Sequence, residues 1–362
     1  MTGLSGSRRP RWTVELLDRN HYVKRRLDGV LSHSIELAGT ERLGGNAKLE
    51  LNAEASGDVD WLNGRVRFTY DPEVEGVDPW PLGVFLLTSP QEQHGDGKTI
   101  VSVDCLHLPA VVDRVYPTRG ITLAKGTRIV QWVVSLLRDE ARVPAHLIAA
   151  TDLGTVAAAE RSWPPTESLL TVINDVLTSA GYWSLRANTA GQLVVAPWEA
   201  PITRPPAYEF TKDEVGVTRP DWTREQDLSS IPNRVVASTA GSEEEESIVG
   251  VAELTDPEDP LSIPNRGIVG KTYDIEATDQ ASANAQAKQF LDNALEPVLK
   301  VGVEHALVPV APNDTVLYEV GGELLPFTVQ RMSIGDGFDA HVKATWRGVT
   351  GSELQEGSED SD

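Results

Sequence analysis

The chain has 362 residues, with 32 Lys or Arg against 54 Asp or Glu, for a formal net charge of -22. That balance argues against a protein that grips nucleic acid, which needs a basic surface, while 40% hydrophobic and 24% charged residues make a folded chain long enough for two or three cores. A single cysteine, Cys105, excludes an intrachain disulfide framework and a cysteine-built zinc site.

Met1 to Arg11 is rich in Gly, Ser and Arg and lacks the apolar run of a signal peptide. Nowhere do 18 apolar residues run together, so no membrane span is expected, and the sequence reads as a soluble protein made in a cytoplasm. From Trp12 to Leu108 apolar residues alternate: Trp12, Val14 and Leu16; Ala47, Leu49, Leu51 and Ala53; Val66, Phe68 and Tyr70; Val101, Val103 and Cys105. Turn chemistry separates these runs at Asp28-Gly29, Gly44-Gly45, Asn63-Gly64, Asp71-Pro72 and Gly95-Asp96-Gly97. Residues 1–108 therefore predict an antiparallel barrel or sandwich.

The period changes over 109–206. Ile129, Trp132, Val133, Leu136 and Leu137 form one helical stripe. A second helix follows Pro164-Pro165 with the stripe Leu169, Leu170, Ile173, Val176 and Leu177, and Gly181 stands at its C-terminal cap. Tyr182–Leu185 and Leu193–Val195 predict a hairpin around Asn188 to Gly191. The region reads as a small α/β domain of two helices and a hairpin.

Strands return over 207–349, with alternation at Tyr273 and Ile275, Val301 and Val303, Val316, Tyr318 and Val320, and Val342, Ala344 and Trp346. A helix is expected over 279–295, with Asp279 as N-cap and Pro297 as its stop. The stretch 240–264, with Glu243 to Glu246 in a row, reads as an exposed acidic loop, and 350–362 as an acidic disordered tail.

Two internal echoes stand out. Ser230-Ile231-Pro232-Asn233-Arg234 recurs as Ser262-Ile263-Pro264-Asn265-Arg266. Gly95-Asp96-Gly97 lies between Val84–Thr88 and Ile100–Cys105, as Gly335-Asp336-Gly337 lies between Phe327–Met332 and Ala340–Trp346. The second echo suggests that the first and third regions copy one β-unit.

Chemistry is hard to find. Gly267-Ile268-Val269-Gly270-Lys271-Thr272 ends like a phosphate loop, but Asn265 replaces the required first Gly and a strand, not a helix, is expected to follow. None of the seven histidines pairs at the close spacing of a helical metal site. Cys105 and His107 share a strand face without an orienting partner. Asp58 with Asp60 and Asp336 with Asp339 are carboxylate pairs, but Asp336 in a turn is expected to bond its own backbone. G-x-S-x-G is absent. No catalytic, cofactor-binding or metal-ligating residue is assigned.

The wording of Trp12-Thr13-Val14-Glu15-Leu16, Val59-Asp60-Trp61-Leu62-Asn63 and Leu82–Pro90 resembles the central hub proteins at the tail tip of long-tailed bacteriophages, as found among phages of actinobacteria. Thr166–Leu177, Ala180-Gly181-Tyr182 and Asn188–Val195 resemble the same family's α/β domain, and Ile231–Val236 the strand opening its second barrel. The resemblance implies an α+β, mainly β fold: two antiparallel β-barrel-like domains flank a small α/β domain, with one further helix inserted in the second β-domain. It also implies a non-enzymatic homotrimer whose six barrels meet the sixfold tail tube. Implied partners are the distal tail protein ring and tail tube, tail fibre or receptor-binding proteins and the tape measure protein, with genomic DNA only as passing cargo. The implied location is the virion tail tip, assembled in the host cytoplasm. Some relatives carry a peptidase or lysozyme domain; a chain stopping at Asp362 is not expected to.

Acidic residues lining the bore of such a ring would repel passing phosphate, although acidity also serves solubility. Trp61, Trp80, Trp222 and Trp346, among nine tryptophans, are candidates for a trimer interface. Two competing readings remain: a carbohydrate- or receptor-binding module with exposed tryptophans in one groove, and a tail-associated cell-wall hydrolase.

Overall fold

Apolar residues at every second position give the chain its strands, because alternate side chains of an extended backbone share one face. The computed structural model describes residues 4, 8–95, 98–199, 203–211, 217–226, 229, 231–239, 247–275, 280–295, 299–320, 323–336 and 341–348, with only the backbone at 220–222, 224–226, 282, 293, 299 and 320. The run Glu243–Glu246, Asp279, Pro297, Asp339 and the 350–362 tail lie outside the described residues. The fold is mainly β with a minority of helix, in the α+β class. Two compact units divide the chain: Met1–Trp222 with Val303–Trp346, and a second centred on Thr223–Gly302.

The first unit opens with β1 (Arg11–Leu17), β2 (Val23–Arg26), β3 (Val30–Ala38), β4 (Gly45–Asn52), α1 (Ala53–Ser56), β5 (Arg65–Asp71), β6 (Trp80–Leu87), β7 (Gln91–Gly95) and β8 (Lys98–His107). These strands pair antiparallel in the order β3-β4-β8-β6-β5-β1-β2, with β7 against β8. Val14, Leu16, Leu49, Leu51, Val66, Phe68, Val101 and Val103 are buried, as their alternation requires. Ala53 departs from the pattern. It is exposed at the start of α1, where the Asn52 carboxamide accepts the Ala55 N–H at 2.8 Å and ends the strand.

The sheet bends around its own core. Trp12 of β1 meets His33 of β3 at 4.4 Å between ring centroids, although four strands separate them in the sheet order. From His33 the contacts run to Phe68 at 5.2 Å, on to Phe85 at 5.7 Å and then to His107 at 5.1 Å. Closing two faces over one aromatic interior makes the unit barrel-like.

Next come α2 (Ala110–Asp113), β9 (Ile121–Leu123), α3 (Ile129–Asp139), β10 (Ile148–Ala150), β11 (Arg161–Trp163), α4 (Leu169–Ser179), β12 (Arg186–Ala187) and β13 (Leu193–Val195). Both expected helices form, and their stripes meet in one core. Ser168 caps α4, and Gly181 follows it at φ +76, a conformation that suits glycine. The hairpin turns at Asn188 to Gly191 as expected, with Arg186–Ala187 paired to β13 and Tyr182 bridged to Pro197 beyond it. The expected first arm is interrupted at Leu185, whose N–H donates to the Asn174 side chain of α4 at 2.8 Å.

The remaining elements are β14 (Tyr208–Phe210), β15 (Thr218–Gln226), β16 (Arg234–Ser238), β17 (Val249–Glu253), α5 (Ile263–Arg266), β18 (Gly270–Asp274), α6 (Gln280–Leu295), β19 (Leu299–Ala306), β20 (Thr315–Val320), β21 (Glu323–Gly335) and β22 (His341–Gly348). In the first unit, β14, β20, β21, β22 and the end of β19 enclose a second aromatic core. Trp346 lies at its centre, with Phe210 at 4.8 Å, Tyr318 at 5.4 Å and His305 at 5.6 Å.

The second unit is a three-stranded sheet in the order β17-β16-β18, covered by α6. The stretch 240–264 is not all loop, since β17 lies within it and pairs antiparallel with β16. Its Gly250 sits under α6 so closely that a Cβ there would stand 2.1 Å from the Ala283 carbonyl oxygen. The two pentapeptide copies adopt different conformations yet bind each other. Asn233, fully buried, donates to the carbonyls of Leu261 (2.9 Å) and Gly267 (2.7 Å) and accepts the Val269 N–H (2.8 Å). Arg266 of the second copy donates back to the Ile231 carbonyl at 3.0 Å.

Gly250→Ala places a methyl group against backbone that cannot retreat without moving α6. The expected loss is about 2–3 kcal/mol, read as increased amide exchange in β16–β18 and α6 while β1–β8 keep their protection.

Candidate functional site

The first and last groups of strands in the first unit are joined edge to edge. β21 pairs antiparallel with β3 through Arg331↔Ala38, Met332↔Leu37, Ser333↔Glu36, Ile334↔Ile35 and Gly335↔Ser34. One sheet thus runs β15-β19-β22-β21-β3-β4-β8-β6-β5-β1-β2, placing two β-units side by side. Ile35, Leu37, Met332 and Ile334 are all buried at the seam.

Both ends of this seam are tied. At one end the Gly39 N–H donates to the Gln330 carbonyl at 2.8 Å, and Arg331 pairs with Glu41. At the other, Asp336 Oδ2 accepts the His33 backbone N–H at 3.0 Å, across 303 residues of sequence. This corrects the expectation that Asp336 serves its own turn: its carboxylate satisfies a donor of the other β-unit.

A second tie reaches the helices. Arg42, between β3 and β4, pairs with Asp113 and donates to Ser168 Oγ at 2.7 Å and Thr171 Oγ1 at 2.8 Å. Ser168 in turn donates to Asp113 at 2.9 Å. Next to this tie lies a cleft of about 580 Å³, lined among others by Glu41, Arg42, His107, Trp183, Arg186 and Asn313. Glu41 and Arg42 are already spent in ion pairs, so the cleft offers no free acid–base couple from them.

The enzyme-like candidates become structural residues. Cys105 is fully buried, and burial pushes its thiol up to about 12, so it is no nucleophile. His107 is buried and, through burial, lowered to about 4. Asp60 accepts the N–H groups of Leu62 (3.2 Å) and Asn63 (3.0 Å) in a turn, and Asp58 is exposed. Gly270-Lys271-Thr272 belongs to strand β18. Among the described residues no group of three His, Cys, Asp or Glu could hold a metal ion.

The tryptophan candidates divide. Trp346 is wholly buried in the second aromatic core, which removes it from any interface. Trp61 and Trp80 are half-buried, the latter edge-on to Tyr70 at 5.0 Å; the Trp222 side chain lies outside the described residues. Among those described, Trp198 is exposed and stands 6.2 Å from the ring of half-buried Trp183.

No family model matches this sequence, and no curated protein matches it. Known structures match nearly its whole length. A tail protein from Neisseria meningitidis aligns over 93% of this chain and 96% of its own, with a TM-score of 0.65 and 14% identity. The 43 kDa tail protein of prophage MuSo2 from Shewanella oneidensis aligns over 93% and 98%, with a TM-score of 0.62 and 10% identity. The prophage tail protein gp18 from Listeria monocytogenes aligns over 96% and 99%, with a TM-score of 0.56 and 10% identity. At these identities the likeness is one of fold.

Removing the seam carboxylate with Asp336→Ala leaves the buried end of β3 short of an acceptor, at a cost of about 1–2 kcal/mol. The expected signature is at least tenfold faster exchange of the His33 amide; unchanged exchange would contradict the tie.

Burial also holds His33 and His305 near 4, against an ordinary 6.5, as it does His107. Between pH 6.5 and about 4 the unfolded chain takes up protons that the folded chain refuses, so stability falls as pH falls through that window. Each imidazole contributes up to on the order of 3 kcal/mol. Urea midpoints should therefore drop steeply from pH 7 to pH 4.5, and a flat profile would refute the burial of neutral imidazoles.

Proposed function

We propose that the chain is a structural hub of a bacteriophage tail tip, without catalytic function, and that three copies form a ring. The observation that carries this reading is the β3–β21 seam, which sets two β-units edge to edge in one sheet. A subunit with two such units offers a ring of three the six positions needed to meet a sixfold tube, while its distal face stays threefold. Whole-length likeness of fold to tail proteins of phage origin supports the same reading.

On this proposal the sixfold face meets the distal tail protein ring and tail tube, with the tape measure protein nearby. The threefold face carries fibres or receptor-binding proteins, as in hubs of actinobacterial phages. Tail-tip assembly takes place in the host cytoplasm. DNA passes through the ring as cargo, and the -22 charge of each copy keeps its phosphates from adhering if Asp and Glu line the bore. The interior positions of Cys105 and His107 fit a non-enzymatic role.

Native mass measurement on the purified chain is the direct test. A species of three chain masses is expected at micromolar concentration. Monomer alone at every concentration would sink the hub reading, and degradation of host cell wall by the pure chain would sink its non-enzymatic part.

A further inference from the structure

In a chain with 22 surplus negative charges, one pocket is wholly basic in its charged residues. A concavity of about 230 Å³ is lined by Arg19, Arg65, Arg114 and Arg142, and by no Asp or Glu. The four arise from separate places: the turn after β1, the start of β5, the end of α2 and the stretch beyond α3. None makes an ion pair among the described residues.

Arg65 forms the floor, only 9% exposed, and its side-chain partner is the neutral ring of His21, at 2.5 Å from Nε2. Burial, with the charges of Arg19 and Arg114 added, lowers its pKa to about 10. Asp18 stands near enough to favour the charge, but its Oδ1 already accepts the N–H groups of Asn20 and Tyr22. Arg19, Arg114 and Arg142 are exposed at the mouth. Arg142 adopts φ +54, a conformation that costs a non-glycine residue about 1–2 kcal/mol. Four arginines line one pocket against the single nearby carboxylate of Asp18, and an anion supplied from outside offsets their excess charge.

The walls narrow the choice of anion. Leu62 is 89% exposed at the pocket, beside buried Leu86, Leu87 and Val143. An inorganic oxyanion would leave this apolar surface wet, whereas a peptide covers it with side chains. We propose that the pocket binds the carboxylates of an acidic peptide segment presented by a second copy of this chain. Charge complementarity points to that source: each copy carries 54 acidic residues against 32 basic ones. The inference rests on the self-association proposed above and names a contact within it.

The test uses the full chain, Arg142→Gly and Arg114→Ala. Glycine is at ease at the Arg142 conformation, so Arg142→Gly removes the side chain without lowering Tm. Both variants should weaken self-association tenfold or more in sedimentation. The probe is a labelled peptide with the sequence Gly351–Asp362, which carries five acidic side chains and Leu354. It should bind the wild-type chain in a salt-sensitive way and lose at least tenfold affinity in each variant. Wild-type self-association that survives both substitutions overturns the pocket and leaves the trimer standing. If the wild type is only monomeric, the trimer falls together with the second copy as the source, and the peptide alone then judges the carboxylate chemistry. Displacement of the peptide by millimolar inorganic phosphate overturns the peptide assignment.

Discussion

The first unit depends on five backbone pairs between β3 and β21. These segments lie roughly three hundred residues apart, and joining them closes a loop that holds most of the chain. Closure at that length costs about 5 kcal/mol in chain entropy. The ladder alone returns little net energy, since its groups exchange water partners for protein ones. Burial of Ile35, Leu37, Met332 and Ile334, each worth roughly 1.5–3 kcal/mol, is what exceeds the closure cost. The seam is therefore as much a hydrophobic contact as a hydrogen-bonded one, and Asp336 and the Arg331–Glu41 pair fix its register at the ends.

Each β-unit solves its interior in the same way, with histidine packed among aromatic rings. His33 stacks on Phe68 and meets Trp12 edge-on; His305 lies against Phe210 and Trp346. A neutral imidazole fills the volume of a small aromatic, and at His305 Nδ1 can reach the Ala306 carbonyl at 2.8 Å. That placement ties the integrity of both cores to the same protonation state, so acid attacks them together. It also explains why His33, His107 and His305 offer no chemistry: they are part of the packing, closed to substrate.

Much of this was legible in the sequence because it depends on local period. The alternation Val66-Phe68-Tyr70 and the stripe Leu169-Leu170-Ile173-Val176-Leu177 each bury as read. Failures occurred where a distant group decides. The strand β17 was hidden because nearby acidic residues made 240–264 look like loop, while its burial comes from Gly250 under α6. Asp336 looked like a turn residue because its partner, His33, is 303 positions away. Ile231–Arg234 and Ile263–Arg266 share a sequence, yet Arg234 opens strand β16 while the other copy forms the helical turn α5. Four residues carry too little preference to resist their surroundings.

Net charge illustrates the same limit in electrostatics. A total of -22 correctly describes the field far from the chain, where screening leaves only the average. It does not describe a pocket 230 Å³ in volume, where Arg19, Arg65, Arg114 and Arg142 meet from four segments that no reading frame places together. Within a Debye length of about 8 Å the local sign governs, and here it is opposite to the total. A surface that repels polyanions at long range can thus hold a carboxylate at contact, so the net acidity that argues against a nucleic-acid grip is compatible with the proposed contact between copies.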